Sequence, residues 1–257
     1  MPKGILPFET FSALLEQAKD SLLIAVLYVG GEPLLYKDIY RAAALCTRHR
    51  VPTMIATNGM LLTEKASSQL LDAGLDFIKI AVSGFTQGVY QRQHRKGKIE
   101  RIKGYLDILS KLIRQRKSGL VVMVDYISYA YNAHELPLMR AFCQERGFLF
   151  NVRPGITTGM GAEEPEKPLF TTRVTSRCTW PWEAVTVNWN GDLFPCCDYT
   201  SWVGSKPYLR YRVGGPELSA LWNGAEVRKY RLGHLKLGRQ CSPVCLPCTR
   251  EGLLFKY

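Results

Sequence analysis

Six of the eight cysteines in this 257-residue chain lie beyond residue 177, and their spacing suits a metal centre. Cys178 comes first, then the neighbours Cys196 and Cys197, then Cys241, Cys245 and Cys248. Cys245 and Cys248 are separated by two residues, the usual way for a tight loop to present two thiolates to one centre. Residues 184–194 read as a hairpin: VTVNW alternates, Asn190 and Gly191 supply a turn, and DLF leads the return strand to Cys196. Successive residues on a strand point to opposite faces, so Cys196 and Cys197 are not expected to serve one centre together. Cys178, Cys196, Cys245 and Cys248 are therefore the candidate metal ligands, with Cys241 as a spare or substitute. Zinc and iron-sulfur both suit four thiolates, and spacing alone does not separate them; disulfides come third, since the chain shows no export signal. Cys46 and Cys143 sit in helical patterns and read as small buried apolar residues.

A second stretch with chemical potential is LYVGGEPLL at residues 27–35. Gly30 and Gly31 lack a Cβ, so a polar ligand could lie against the backbone amides, while Glu32 supplies an anion and Pro33 opens the next helix. That suits a cationic small molecule, although a plain strand-to-helix turn would use the same residues. Polar and glycine residues also follow the other predicted strands: Thr57, Asn58 and Gly59, then Ser83 and Gly84, then Ser128 and Asn132, then Arg153.

The elements that must position these groups alternate. A helix is predicted over 7–19, followed by strands at 22–28, 53–57, 76–83, 120–127 and 148–152. Helices at 36–49, 63–73, 99–117 and 133–146 separate them, two of them closed by Gly74 and Gly147. This is the α/β pattern of a parallel sheet with right-handed crossovers, either open or curled into part of a barrel. Ligands of such folds collect at the carboxyl ends of the strands, where the polar residues above are found. Residues 1–154 are read as the core domain, 155–177 as a linker rich in Gly, Pro, Thr and Glu, and 178–257 as a small cysteine-rich domain.

Hydrophobic residues at 46% and charged residues at 22% describe an ordinary globular composition. No apolar run reaches a membrane span, and Glu9, Glu16 and Asp20 interrupt any signal-like core at the start, so a cytoplasmic protein without a membrane partner is expected. The formal charge of +12 raises the possibility of nucleic acid. However, Arg92, Lys98, Arg101, Lys103, Lys111 and Arg114 lie near or among Ile99, Ile102, Leu106 and Leu109 at helical spacing, so most of this charge reads as one solvated helix face. No nucleic-acid partner is expected; an acidic substrate or a leader peptide could be drawn to that face.

GGEPLL, the TNG at 57–59, the VSG at 82–84, Asn132 with Glu135, and Arg153-Pro154 together resemble the core of radical SAM enzymes. The tail resembles the SPASM or shorter twitch extension of that superfamily. There a cysteine, twelve residues, a glycine, four residues and a cysteine precede a later Cys-x-x-Cys, as Cys178, Gly191, Cys196, Cys245 and Cys248 do here. Trp222-Asn223 followed by Arg231 resembles the helix leading to the last pair. The resemblance implies a partial barrel in which a 4Fe-4S cluster and S-adenosylmethionine meet and a 5′-deoxyadenosyl radical abstracts hydrogen from a peptide or small-molecule substrate. It implies a cofactor-binding set of Gly30, Gly31, Glu32, Pro33, Thr57, Asn58, Ser83, Asn132 and Arg153. In that set the Gly30–Glu32 segment holds the methionine ammonium, Ser83 and Asn132 lie near the ribose or carboxylate, and Arg153 supports cofactor or substrate. The tail would carry one auxiliary 4Fe-4S cluster, and a flavodoxin or ferredoxin would serve as electron donor; no catalytic side chain is singled out.

The sequence departs from the family at its start. The family's CxxxCxxC follows a first strand and precedes the first helix, whereas no cysteine precedes Cys46 here. The expectation is that the five strands are the second to sixth and that the chain as it stands does not cleave S-adenosylmethionine reductively. It would be either an amino-terminally truncated enzyme or a cluster-lacking relative, its tail stapled by zinc or iron-sulfur, that binds a peptide or protein partner without catalysis.

Overall fold

The computed structural model describes residues 4–155, 178–201, 206–246 and 248. They fall into two units, the described parts of Leu23–Thr171 and of Met1–Leu22 with Thr172–Tyr257. The chain opens with α1 (Phe8–Ala18) and then alternates: β1 (Ala25–Val26), α2 (Ile39–Arg48), β2 (Thr53–Thr57), α3 (Glu64–Asp72), β3 (Phe77–Val82), α4 (Gln87–Gln93), α5 (Ile99–Arg116), β4 (Val121–Ser128), α6 (Leu136–Arg146) and β5 (Leu149–Pro154). The five strands are parallel and hydrogen-bonded in sequence order, which is the expected partial-barrel α/β architecture.

Period-two alternation divides the sheet into two chemically different faces. Ile78, Ile80, Val82, Val122, Val124 and Tyr126 are buried and pack with Ile99, Ile102, Leu106 and Leu109 of α5 and Met139 and Phe142 of α6. Each such aliphatic or aromatic side chain contributes roughly 1.5–3 kcal/mol through burial. The intervening positions carry Lys79, Ala81, Met123, Asp125 and Ile127, and in register with the last two Asn151 and Arg153. Helices thus cover one face, while the other presents polar groups within the sheet itself.

Three local differences from the expected elements have physical causes. The first strand is two residues long because β1 is the edge of the sheet, paired only with β2, and Leu23 before it is 85% exposed. Helix α4 gave no periodic signal, since Tyr90 is its one buried residue. The helix expected from 133 begins at Leu136, because Pro137 fits only the first turn of a helix; a 3₁₀ turn, Ala130–Glu135, precedes it.

Cys46 and Cys143 are fully buried, and burial pushes each thiol up to about 12. The native state therefore keeps protons that the unfolded chain gives up near the ordinary thiol value. The stability they contribute is complete below about pH 9 and is lost as pH rises toward 12, by up to about 1.4 kcal/mol per thiol per pH unit. Comparing wild type with the Cys46→Ala/Cys143→Ala double variant in urea at pH 8 and pH 10.5 isolates this term. The wild type should lose more stability over that interval than the variant.

The second unit contains α7 (Trp180–Glu183), β6 (Thr186–Val187), β7 (Asp192–Phe194), α8 (Cys197–Ser201), β8 (Leu209–Arg210), α9 (Leu218–Trp222) and α10 (Ala225–Leu237). The expected hairpin is present: β6 and β7 pair antiparallel, and β8 adds to β7. Gly191 turns it with φ +83°, and a Cβ there would lie 2.4 Å from the Tyr211 carbonyl oxygen, so no other residue fits. Helix α1, read from sequence as the start of the sheet domain, groups instead with this unit. Leu14 packs with Leu193 and Tyr211, Gln17 Nε2 donates to the Tyr211 hydroxyl at 3.1 Å, and Gln17 Oε1 accepts from Leu218 N at 2.7 Å. The linker expected at 155–177 lies outside the described residues, Gly155 excepted.

Candidate cofactor cleft and metal centre

At the carboxyl end of β1, Gly30 and Gly31 leave an open cradle: among the described residues, none beyond the immediate chain neighbours has an atom within 4 Å of where a Cβ would stand at either position, and Gly31 has φ +79°. Glu32 is not the free anion its position suggested. Its Oε1 accepts from Leu34 N at 3.2 Å and from the Thr57 hydroxyl at 2.7 Å, and its Oε2 accepts from Asn58 N at 2.9 Å. It caps the short 3₁₀ helix Pro33–Leu35 and ties the end of β1 to the end of β2. A carboxylate has about four acceptor positions, so room for one further donor remains. Thr57 also accepts from Gly59 N, and Asn58 turns its own loop by accepting from Met60 N.

At the ends of β3 and β4, Asn132 is fully buried and its side chain is committed. Its Oδ1 accepts from Tyr129 N at 2.7 Å, and its Nδ2 donates to the carbonyls of Ser83 and Ile127, each at 2.9 Å. Asn132 therefore bridges strands rather than offering an amide to a ligand. The hydroxyls of Ser83 and Ser128 are different: both are buried and have no hydrogen-bond partner among the described residues. An unpaired buried hydroxyl at the mouth of a parallel sheet is what a polar ligand would complete.

Arg153 lies on the polar face, where its Nε donates to Asp125 Oδ2 at 2.6 Å. Asp125 is 1% exposed, accepts from Asn151 Nδ2 at 2.7 Å, and has Lys79 Nζ at 3.9 Å. The carboxylate fixes Arg153 by its Nε edge and pins three strands together.

In the second unit, Cys178, Cys196, Cys245 and Cys248 line one small cavity, together with His234 and Arg239. Cys196 follows the end of β7 and Cys197 begins α8, so a change from strand to helix separates the two rather than strand alternation. Cys241 also approaches this cavity: its sulfur, that of Cys245 and a ring nitrogen of His234 lie within 4.8 Å of one another. Burial pushes the Cys196 thiol up to about 12 and the Cys241 thiol up to about 11, and raises Cys245 as well. Metal binding would thus release protons from these thiols. The buried Arg239 guanidinium, whose Nη1 donates to the Cys248 carbonyl at 3.1 Å, places a positive charge where thiolates would gather.

The sequence model of the radical SAM superfamily matches residues 2–129, and that of the SPASM iron-sulfur cluster-binding domain matches residues 178–249. The chain belongs to the radical SAM superfamily. Among relatives, a PqqA peptide cyclase of Gluconobacter oxydans (strain 621H) is 28% identical over 138 residues, covering 54% of this chain and 37% of that protein. A probable GTP 3′,8-cyclase of Methanocaldococcus jannaschii is 27% identical over 124 residues, covering 48% of this chain and 40% of that one. The matched region is thus well under half of either relative's length. Of solved structures, Streptococcus suis SuiB bound to S-adenosylmethionine superposes with a TM-score of 0.68 at 13% identity, covering 90% of this chain and 62% of that chain. BtrN in complex with AdoMet and 2-DOIA gives 0.61 at 17% identity, covering 97% and 82%. At these identities the likeness is one of fold.

Radical SAM membership carries S-adenosylmethionine and iron-sulfur clusters as cofactors, with the auxiliary cluster in the SPASM domain. The open glycine cradle, the two unpartnered serine hydroxyls and the convergent cysteines are compatible with them. Sequence reasoning singled out neither Asp125 nor Lys79, although a charged residue inside each of two apolar strand runs was a usable signal. It also passed over His234, seven residues before Cys241, which matches no usual ligand spacing.

Proposed function

We propose that this chain is the cofactor-binding core and auxiliary-cluster domain of a radical SAM enzyme that abstracts hydrogen from a peptide. The observation that carries the reading is the convergence of Cys178, Cys196, Cys245 and Cys248 from three separate segments onto one cavity, in a chain whose other unit is a radical SAM sheet. In this reading these four hold the auxiliary 4Fe-4S cluster. S-adenosylmethionine would be held at the carboxyl ends of the strands by Gly30, Gly31 and the remaining acceptor position of Glu32, with the unpartnered Ser83 hydroxyl as a further polar group. When bound, that group supplies the radical chemistry. The protein's share is to hold it and to exclude water. Arg153, set by Asp125, faces the same side of the sheet and offers its outer nitrogens to a carboxylate of cofactor or substrate. A peptide is favoured over a nucleotide because PqqA peptide cyclases recur among the relatives. The sheet unit, with described residues 23–155, and the cysteine unit, which includes α1, then divide the work between cofactor cleft and cluster, and an electron donor such as a flavodoxin or ferredoxin would reduce the cluster.

The test is anaerobic reconstitution followed by iron, sulfide and zinc analysis and by calorimetric titration with S-adenosylmethionine. About four iron and four sulfide per chain are expected from the tail. Stoichiometric zinc without sulfide would sink the cluster assignment. Gly30→Val adds a side chain where it meets nothing, so the fold is kept while the cradle is filled. Binding of S-adenosylmethionine should weaken at least about tenfold, equivalent to about 1.4 kcal/mol, with iron content unchanged. Unaltered binding would remove the ligand from this loop.

A further inference from the structure

Helix α10 presents Tyr230 and His234 toward the cysteine cavity, at the i, i+4 spacing that shares a helix face, while Leu232 and Leu235 stay exposed. The Tyr230 hydroxyl lies 3.2 Å from Cys245 Sγ, His234 Nε2 lies 3.6 Å from the same sulfur, and these two groups are 3.2 Å from each other. Neighbouring rings hold both in place. Tyr208 and Tyr199 meet Tyr230 edge-on at centroid distances of 4.9 and 5.8 Å, and Trp182 meets His234 at 6.2 Å.

We infer that Tyr230 and His234 set the reduction potential of the auxiliary cluster by donating hydrogen bonds to the Cys245 sulfur, a step that rests on Cys245 being a cluster ligand as proposed above. A metal-bound thiolate has lone pairs and no proton, so a hydroxyl and a ring N–H at these distances can meet it only as donors. The histidine tautomer agrees. Nδ1 of His234 is buried with no partner among the described residues, whereas Nε2 faces two acceptors, so the ring proton belongs on Nε2. Donation draws negative charge from the sulfur. The reduced cluster carries one more negative charge than the oxidised one, so it gains more from the same donors and the potential rises.

The experiment is an EPR-monitored redox titration of the reconstituted full chain as wild type, Tyr230→Phe, His234→Leu, His234→Gln and the Tyr230→Phe/His234→Leu double variant. Each variant that loses a donor should be harder to reduce, and the double variant by about tenfold in the reduction equilibrium, which is 59 mV for one electron. His234→Gln keeps an N–H and should shift less than His234→Leu. Iron and sulfide content should equal wild type throughout. Unmoved potentials with intact clusters would overturn the inference while leaving the cluster assignment standing. Loss of the cluster from Tyr230→Phe, whose ring fills the same space, would also overturn it by making the hydroxyl structural. A wild type without iron and sulfide overturns both readings together, and is told apart by metal analysis before any variant is made.

Discussion

Cys248→Ala is expected to lower auxiliary iron and sulfide from about four of each per chain to near zero, and to release the amide-exchange protection of residues 178–201 and 206–246. The expectation follows from the size of the apolar core around the site. Phe194, Tyr199, Val244 and Cys245 are its buried members, and Cys245 is itself a proposed ligand. Burial of three such side chains contributes about 4.5–9 kcal/mol before chain entropy is counted, at roughly 1.5–3 kcal/mol each. A structural metal contributes more, with apparent values of about 10–16 kcal/mol in zinc-binding domains. Three remaining thiolates would leave one cluster corner to solvent. Cys46→Ala, in the other unit, should leave iron content as it is. Full iron retention in Cys248→Ala would remove that residue from the ligand set and bring Cys241 in its place. Equal protection in the metal-free and loaded forms would show that the unit holds itself together without metal.

Glu135→Ala should destabilise the sheet unit by about 1–3 kcal/mol, the range expected when a charged acceptor is removed from two part-buried backbone donors. Glu135 is 2% exposed, and its carboxylate accepts from Phe85 N at 2.5 Å, Thr86 N at 3.1 Å and the Thr86 hydroxyl at 2.5 Å. It thereby fastens the loop after β3, which contains Ser83, to the turn after β4. Phe85 is further fixed by the Phe142 ring at 6.2 Å and by Lys103 Nζ at 4.1 Å above its face, so the loop would not detach completely. Glu135→Gln keeps one carbonyl acceptor, and Thr86 can turn its hydroxyl to accept, so it should cost less than half as much. Urea unfolding resolved by hydrogen exchange at β3 and β4 gives both numbers. A loss below about 1 kcal/mol in Glu135→Ala would mean that water replaces the carboxylate.

The parallel sheet could be read from the sequence because a period of two in β3 and β4 and long amphipathic helices are strong, local signals. The cysteine cavity could be read because hairpin and loop bring its sulfurs together over short stretches. Side-chain commitments were less accessible. Glu32 and Asn132 stood at strand ends as if free for a ligand. That Thr57, Asn58 and Leu34 would take three of the acceptor positions of the carboxylate, and the carbonyls of Ser83 and Ile127 the amide, depends on which loops meet in space. Asp125 and Arg153 face each other only through the register of β4 and β5, which pairs Asp125 with Asn151 and Ile127 with Arg153. Helix α1 carried a clear apolar stripe, but nothing in that stripe names the surface it covers.

The partners of that stripe are made long after it. Gln17 waits for Tyr211 and Leu218, 194 and 201 residues later in the chain, and Leu14 waits for Leu193. At about 5–20 residues per second, a ribosome needs roughly 10–40 s to cross such a separation. During that interval the sheet unit can close around its own core while the apolar stripe of α1 has yet to meet the residues that cover it. The cysteine unit cannot be completed until both ends of its discontinuous fold are present, so delivery of its metal is ordered after translation of the sheet rather than alongside it.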